Sequence, residues 1–278
     1  MKQEPPILKG ERMSVGISMF ILRLNFSQTI SRRSIDPYLP ILEMAARNRK
    51  IVGVIVVVNS SGGESNASEI LANSFRRVSE KKPLYAVIEA VGASGAYWFA
   101  STARKIYAMD TSLVGSIGII SISPNVRQFL DKLGIRVELN KIGKYKDMMS
   151  PFSDTDEDSR NVFRSFMADV FERFKTDVIR NRSIPPDMVD EVINGKIFSS
   201  KEALNAKLID RIGDYQTAID DMKKELNFRG KVKTIGPKRT LIGRIIGSNM
   251  VGNLIKNEIE SFIEDNFQEE MPQLLFRV

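Results

Sequence analysis

Residues 51–59 read IVGVIVVVN, and all but Gly53 and Asn59 are β-branched. A strand with one wet face alternates apolar and polar side chains, whereas a run apolar throughout belongs to a strand covered on both faces. Such strands occur in parallel sheets between helical layers. The flanking sequence fits that frame. The segments 17–26 and 83–90 are apolar and β-rich, and 36–50 and Asn66–Glu80 have helical patterning. A further helix follows from "SGAYWFASTARK", then short strands around 105–109 and 116–121, a helix near 125–133 and a strand near 135–142. This alternation predicts an α/β layered fold with right-handed crossovers.

From residue 153 the pattern becomes helical. Val162, Phe163, Phe166, Met167, Val170, Phe171, Phe174 and Val178 recur at steps that make one apolar stripe, with Asp154, Asp156, Glu157 and Asp158 at its favoured acidic end. Such a stripe reads as core or subunit contact. Short helices around the strand-like "KIF" follow, and 245–267 reads as an amphipathic helix packed on the body or on another subunit.

The 278 residues include no cysteine and no histidine. Disulfides, thiolate nucleophiles, Cys/His zinc sites and a Ser-His-Asp triad are therefore excluded. The net charge of +7 favours anionic partners, an anionic membrane surface among them. No helix-turn-helix or RNA-recognition motif accompanies the basic residues, so no nucleic-acid partner is expected. The most basic stretch, 228–244, reads as a solvated connector. The first residues lack a signal-peptide core, and "VGISMFILRL" is too short to span a bilayer and is interrupted by Arg23. These features set the expectation of a cytoplasmic protein, or one peripheral to the cytoplasmic membrane, without a transmembrane segment.

Three features carry candidate chemistry. Ser94, in "EAVGASGAYW", follows a buried-type strand and opens a helix, where backbone N–H groups and the helix dipole favour developing negative charge. Alone, it reads more readily as an N-cap serine in a tightly packed strand-to-helix turn. The loop "VVNSSGGES" ends the most buried strand, and Gly62 and Gly63 can turn their amides toward a cleft at the strand C-termini. The N–H groups of Gly63 and Ser94 together make a candidate oxyanion hole. A reactive serine needs a base; without histidine, a lysine made neutral by burial is the candidate. Lys144 and Lys146, in "NKIGKYKDMMSPF", both qualify, because alternate residues of an extended segment share a face.

The ordered set "VNSSGG", "VGASGAYWFASTARKIYAMDTSLVGSIGI", "DKLGIRVELNKIGKYKDMMSPF" and "GKIFSSKEALNAKLID" resembles the signal peptide peptidase A family of serine peptidases, over about residues 15–225. The shorter, single-domain members resemble it most. The resemblance implies Ser94 as nucleophile, Lys146 as general base, Ser116 of "LVGSIG" as the serine that orients the lysine, and Gly63 as an oxyanion donor. It also implies a ClpP/crotonase-like α/β fold of stacked βα units with a helical C-terminal extension. The implied organisation is an arm at 1–14, a peptidase domain at 15–225, and a basic connector with amphipathic helix and tail at 226–278. Peptide substrates and a ring- or dome-shaped homo-oligomer follow from it, with no metal or other cofactor. Ser61 stands where the family's glycine loop has proline, and the membrane anchor that many relatives carry is absent. The apolar end "MPQLLFRV", 271–278, resembles a substrate for its own groove or a neighbour's. A crotonase-type acyl-CoA enzyme and a catalytically silent scaffold binding peptides or membranes are the alternatives.

Overall fold

A computed structural model of the chain describes residues 18–237. The chain divides into two units, Met1–Gly236 and Pro237–Val278. The arm at 1–14, the amphipathic helix at 245–267 and the tail at 271–278 lie outside the described residues.

The first unit opens with strand β1 (Phe20–Phe26), helices α1 (Arg32–Ile35) and α2 (Leu39–Arg47), and β2 (Ile51–Ser60). Helix α3 (Ser65–Ser79) leads to β3 (Leu84–Ala93), and α4 (Gly95–Ala100) to β4 (Lys105–Ala108) and β5 (Leu113–Gly115). Then come α5 (Arg127–Lys132) and the long α6 (Glu157–Arg182). The rest is α7 (Val189–Val192), β6 (Ile197–Ser199), α8 (Ser200–Asn205), β7 (Arg211–Ile212), α9 (Tyr215–Glu225) and β8 (Lys231–Thr234).

The strands form one sheet in the order β6-β5-β3-β2-β1-β8. Every pairing is parallel except β5 with β6. β3 serves two neighbours in succession: residues 85–88 pair with β4 and 91–93 with β5. β2 is buried along nearly its whole length, as its β-branched run requires. One face is covered by α2, α3 and α4, with Leu42, Leu71, Phe75 and Phe99 in its core, and the Phe75 and Phe99 rings stack at 4.9 Å. On the other face, Ala218, Ile219 and Met222 of α9 pack against Ile21, Ile55, Tyr85 and Tyr107.

Several elements differ from expectation. The strand expected at 116–121 lies at 113–115, because Gly115 and Ser116 both take positive φ, 101° and 51°, and turn the chain out of the sheet. Residues 135–142 form no strand; Ile135, Val137 and Leu139 alternate as a strand would, but the segment is exposed and has no partner strand. The apolar stripe of α6 splits in two. Phe174 and Val178 are buried, whereas Phe166 is 60% exposed. Part of the basic stretch expected as a connector is the edge strand β8, beside β1. Among the described residues, no helix is long and apolar enough to cross a membrane.

Candidate active site

Ser94 sits where β3 ends and α4 begins, with φ 53° and ψ −128°. A non-glycine residue rarely occupies positive φ, and here it holds a sharp strand-to-helix turn that sets the side chain at the C-terminal end of the sheet. Close packing around the turn explains its small residues. A Cβ on Gly95 would come within 2.0 Å of Ser68 Oγ on α3. A Cβ on Gly62, itself at φ 96°, would stand 2.8 Å from both the Gly95 nitrogen and the Ser94 Cβ. The glycine loop and the serine turn therefore touch, as two loops at strand C-termini can.

Gly63 is held by Ile30. The Ile30 amide donates to Gly62 O at 2.8 Å and the Glu64 amide donates to Ile30 O at 2.9 Å. In this parallel bridge the groups flanking Gly63 face Ile30, which leaves the Gly63 N–H without a partner among the described residues. The Ser94 N–H, in contrast, donates to Gly115 O at 2.8 Å and so continues the β3–β5 ladder one residue past Ala93. The next amide, that of Gly95, is the first of a helix and has no intrahelical acceptor; it forms no hydrogen bond among the described residues. Gly63 and Gly95 thus each place an unpartnered amide beside Ser94 among the described residues. Sequence reasoning overlooked Gly95, although the first amide of any helix is unpaired.

Ser116 lies next to the same turn. Val91, Gly92 and Ala93 pair in register with Leu113, Val114 and Gly115, so Ser94 and Ser116 are the next residues after two adjacent strands. The Ser116 amide donates to Lys196 O at 2.8 Å. Neither the Ser94 nor the Ser116 hydroxyl has a hydrogen-bond partner among the described residues.

The two lysines lie elsewhere. Lys144 pairs with Asp158, which also accepts a 2.9 Å bond from Tyr145 Oη. These contacts hold the Lys144 amine above the usual lysine range and the Asp158 carboxyl below its own. The Lys146 side chain is exposed and makes no ion pair or hydrogen bond among the described residues. The helix that anchors this segment reaches the serine region at its other end, where the Phe174 ring stacks on Trp98 at 4.7 Å, one helical turn from Ser94. From Asp158 to Phe174 is about 24 Å of helix at 1.5 Å per residue. Within one chain, Ser94, Ser116, Gly62 and Gly63 come together; no hydrogen bond joins the Lys146 side chain to any of them.

Asp177 ties α6 to this region. Fully buried, it accepts from Trp98 Nε1 at 3.0 Å and pairs with Arg76 of α3 and with Arg180, each at 2.7 Å. Tyr97, also fully buried, donates to Leu208 O at 2.7 Å, and burial raises its pKa well above the ordinary tyrosine value. Helix α4 is thereby fixed from two sides.

The chain is similar in sequence and fold to known proteases. Residues 76–229 match the model of peptidase family S49. A protein of Enterococcus faecium that carries the name signal peptide peptidase SppA is 31% identical over 68% of this chain and 55% of its own length. A protein of Methanocaldococcus jannaschii named as a protease is 32% identical over 68% of this chain and 61% of its own. The chain thus spans only about three fifths of the length of these relatives. The fold is shared with a mutant of the 1510-N membrane-bound stomatin-specific protease, at a TM-score of 0.53 and 12% identity, over 80% of this chain and 99% of that one. The stacked βα units are those of the ClpP/crotonase-like α/β class expected from the sequence. The chain belongs to peptidase family S49.

Proposed function

We propose that the protein is a serine endopeptidase that cuts extended, apolar peptides, such as cleaved signal peptides or unfolded fragments. In this reading Ser94 is the nucleophile and Lys146 of a neighbouring copy is the base. The observation that carries it is a serine at positive φ on a strand-to-helix turn, flanked by the unpartnered amides of Gly63 and Gly95. Neutral Lys146 takes the Ser94 hydroxyl proton as Oγ bonds to the scissile carbonyl carbon. The resulting oxyanion accepts from the Gly63 and Gly95 amides. These replace the Gly63 and Ser94 pair expected from the sequence, since the Ser94 amide is already bonded to Gly115. The ammonium of Lys146 then returns the proton to the leaving amine, and water releases the acyl group by the same steps. Ser116 orients the lysine from the adjacent strand. Each oxyanion donor contributes on the order of 10²–10³ in rate.

Assembly supplies what one chain lacks. Lys146 is anchored far along α6 from Ser94, on a segment rich in uncovered apolar side chains: Ile120, Ile122, Phe129 and Ile142, the last 97% exposed. An apolar surface of this extent is a contact surface. In a ring or dome of identical copies it is buried, and one copy's Lys146 meets another's Ser94.

The test is complementation between two inactive proteins. Ser94→Ala and Lys146→Ala each abolish hydrolysis of fluorogenic peptides with an apolar residue before the scissile bond. Mixed and reassembled in equal amounts, they regain about one quarter of the wild-type rate if neighbouring copies share each site. No recovery in a mixture shown to contain both chains would place the dyad within one chain. Full activity of Ser94→Ala would end the serine-peptidase reading.

A further inference from the structure

The parallel sheet gathers the N-terminal ends of β8, β1, β2 and β3 on the edge opposite the candidate active site. Basic residues lead three of these strands: Arg49 and Lys50 precede β2, Lys81 and Lys82 precede β3, and Arg229 and Lys231 open β8. Register brings them to nearly one level. Lys231 lies beside Phe20, which lies beside Ile51, and Leu84, two residues after Lys82, lies beside Val54. With strands about 4.8 Å apart, the six cations cross a band about 15 Å wide.

The band carries little opposing charge. None of the six forms an ion pair among the described residues. Among the described residues near these strand starts, Glu43 is bonded to Arg47 and Glu225 to Arg104 and Lys105, and Glu80 forms no ion pair. Burial first, and then the charge of Lys81, lowers the pKa of Lys82, whose amine donates to Asn48 O. A helix dipole accounts for basic residues in last turns, such as Arg77 and Lys224, but the six stand beyond the helices at strand starts.

We propose that this strand-leading edge is a docking surface for a bilayer rich in anionic phospholipid, with the active site facing away from the membrane. Lipid, rather than nucleic acid, is favoured by what stands among the cations. Met19, at the head of β1 in the middle of the band, is 49% exposed, and an apolar side chain within a basic surface suits the boundary between headgroups and acyl chains. No exposed aromatic ring, the platform that single-stranded nucleic acid stacks on, lies on this edge among the described residues. The basic surface continues into a groove of about 740 Å³ between α2 and α3, whose carboxylates Asp36 and Glu43 are paired with Arg32 and Arg47 and where Arg77 and Lys81 can receive headgroup phosphates.

The test uses the full chain in flotation with vesicles of phosphatidylcholine alone or with one third phosphatidylglycerol. Binding is expected to the anionic vesicles only, at about 0.1 M salt, and to vanish near 1 M, where the screening length is about 3 Å. The triple variant Arg49→Gln, Lys50→Gln, Lys231→Gln, with unchanged unfolding temperature, should bind about 100-fold more weakly, roughly fivefold per charge removed. A control with Arg33→Gln, Lys132→Gln and Lys201→Gln should bind like wild type. Equal binding by the two triple variants, equal binding to neutral vesicles, or no vesicle binding at all would overturn the proposal. So would displacement from the vesicles by an oligonucleotide that binds more tightly and depends on the same residues; the edge would then be a nucleic-acid site.

Discussion

The amide of Ser94 donates to the carbonyl of Gly115 at 2.8 Å, so the proposed nucleophile is the last rung of a β-ladder as well as the start of a helix. The serine is held by backbone bonding on its N-terminal side and by close packing on the other. That combination makes the turn sensitive to single atoms.

Gly62→Ala is expected to lower kcat about 10²–10³-fold, the value of one misplaced oxyanion donor. Its Cβ would press on the Gly95 nitrogen and Ser94 Cβ at 2.8 Å. Gly134→Ala is the control: φ is 71° there, but nothing lies within 4 Å of the added carbon. It should cost about 1–2 kcal/mol of stability and leave the rate unchanged. Steady-state kinetics and urea unfolding on both variants separate the two effects.

Lys144 and Lys146 should respond differently. Because Asp158 and Tyr145 keep the Lys144 amine protonated, Lys144→Gln should retain activity within a few fold. Lys146→Ala should lose about 10²–10⁴-fold, the range of a general base. A larger loss in Lys144→Gln than in Lys146→Ala would exchange their roles.

Asp177→Ala should destabilise the fold by about 3–5 kcal/mol, because it leaves the Arg76 guanidinium and the Trp98 N–H at a buried site without their acceptor. The fall in Tm should be roughly 10 °C for a unit of this size. Asp177→Asn keeps an acceptor for Trp98 and should lose less. Calorimetry on the two variants tests this order.

Glu202 and Ser199 form a capping box at the start of α8, and bonds from Ser199 hold the Glu202 pKa down at about 2, against an ordinary 4.5. A lowered carboxylate pKa stabilises the fold fully above the ordinary value and loses that contribution as pH falls toward the folded-state value. Urea unfolding of wild type and Glu202→Gln should therefore differ most above pH 4.5 and converge as pH approaches about 2. A difference that does not change with pH would remove the ionised capping box from the account.

The sequence by itself determined what depends on neighbouring residues. The β-branched run at 51–58, interrupted only by Gly53, reads as a strand covered on both faces, and it is one. The glycine-flanked Ser94 turn, the Gly62–Gly63 loop and the order of the family motifs were likewise legible, because turn conformation and motif spacing are local. The tertiary structure alone decided which groups meet. Strand register gave the Ser94 amide to Gly115 and left that of Gly95 free, and it aligned basic pairs from separate strands into one edge. It also set Lys146 far along α6 from the serine it is proposed to serve, and buried Phe174 while leaving Phe166 exposed. Periodicity tells which residues share a face; which face finds a partner depends on contacts between residues distant in the chain.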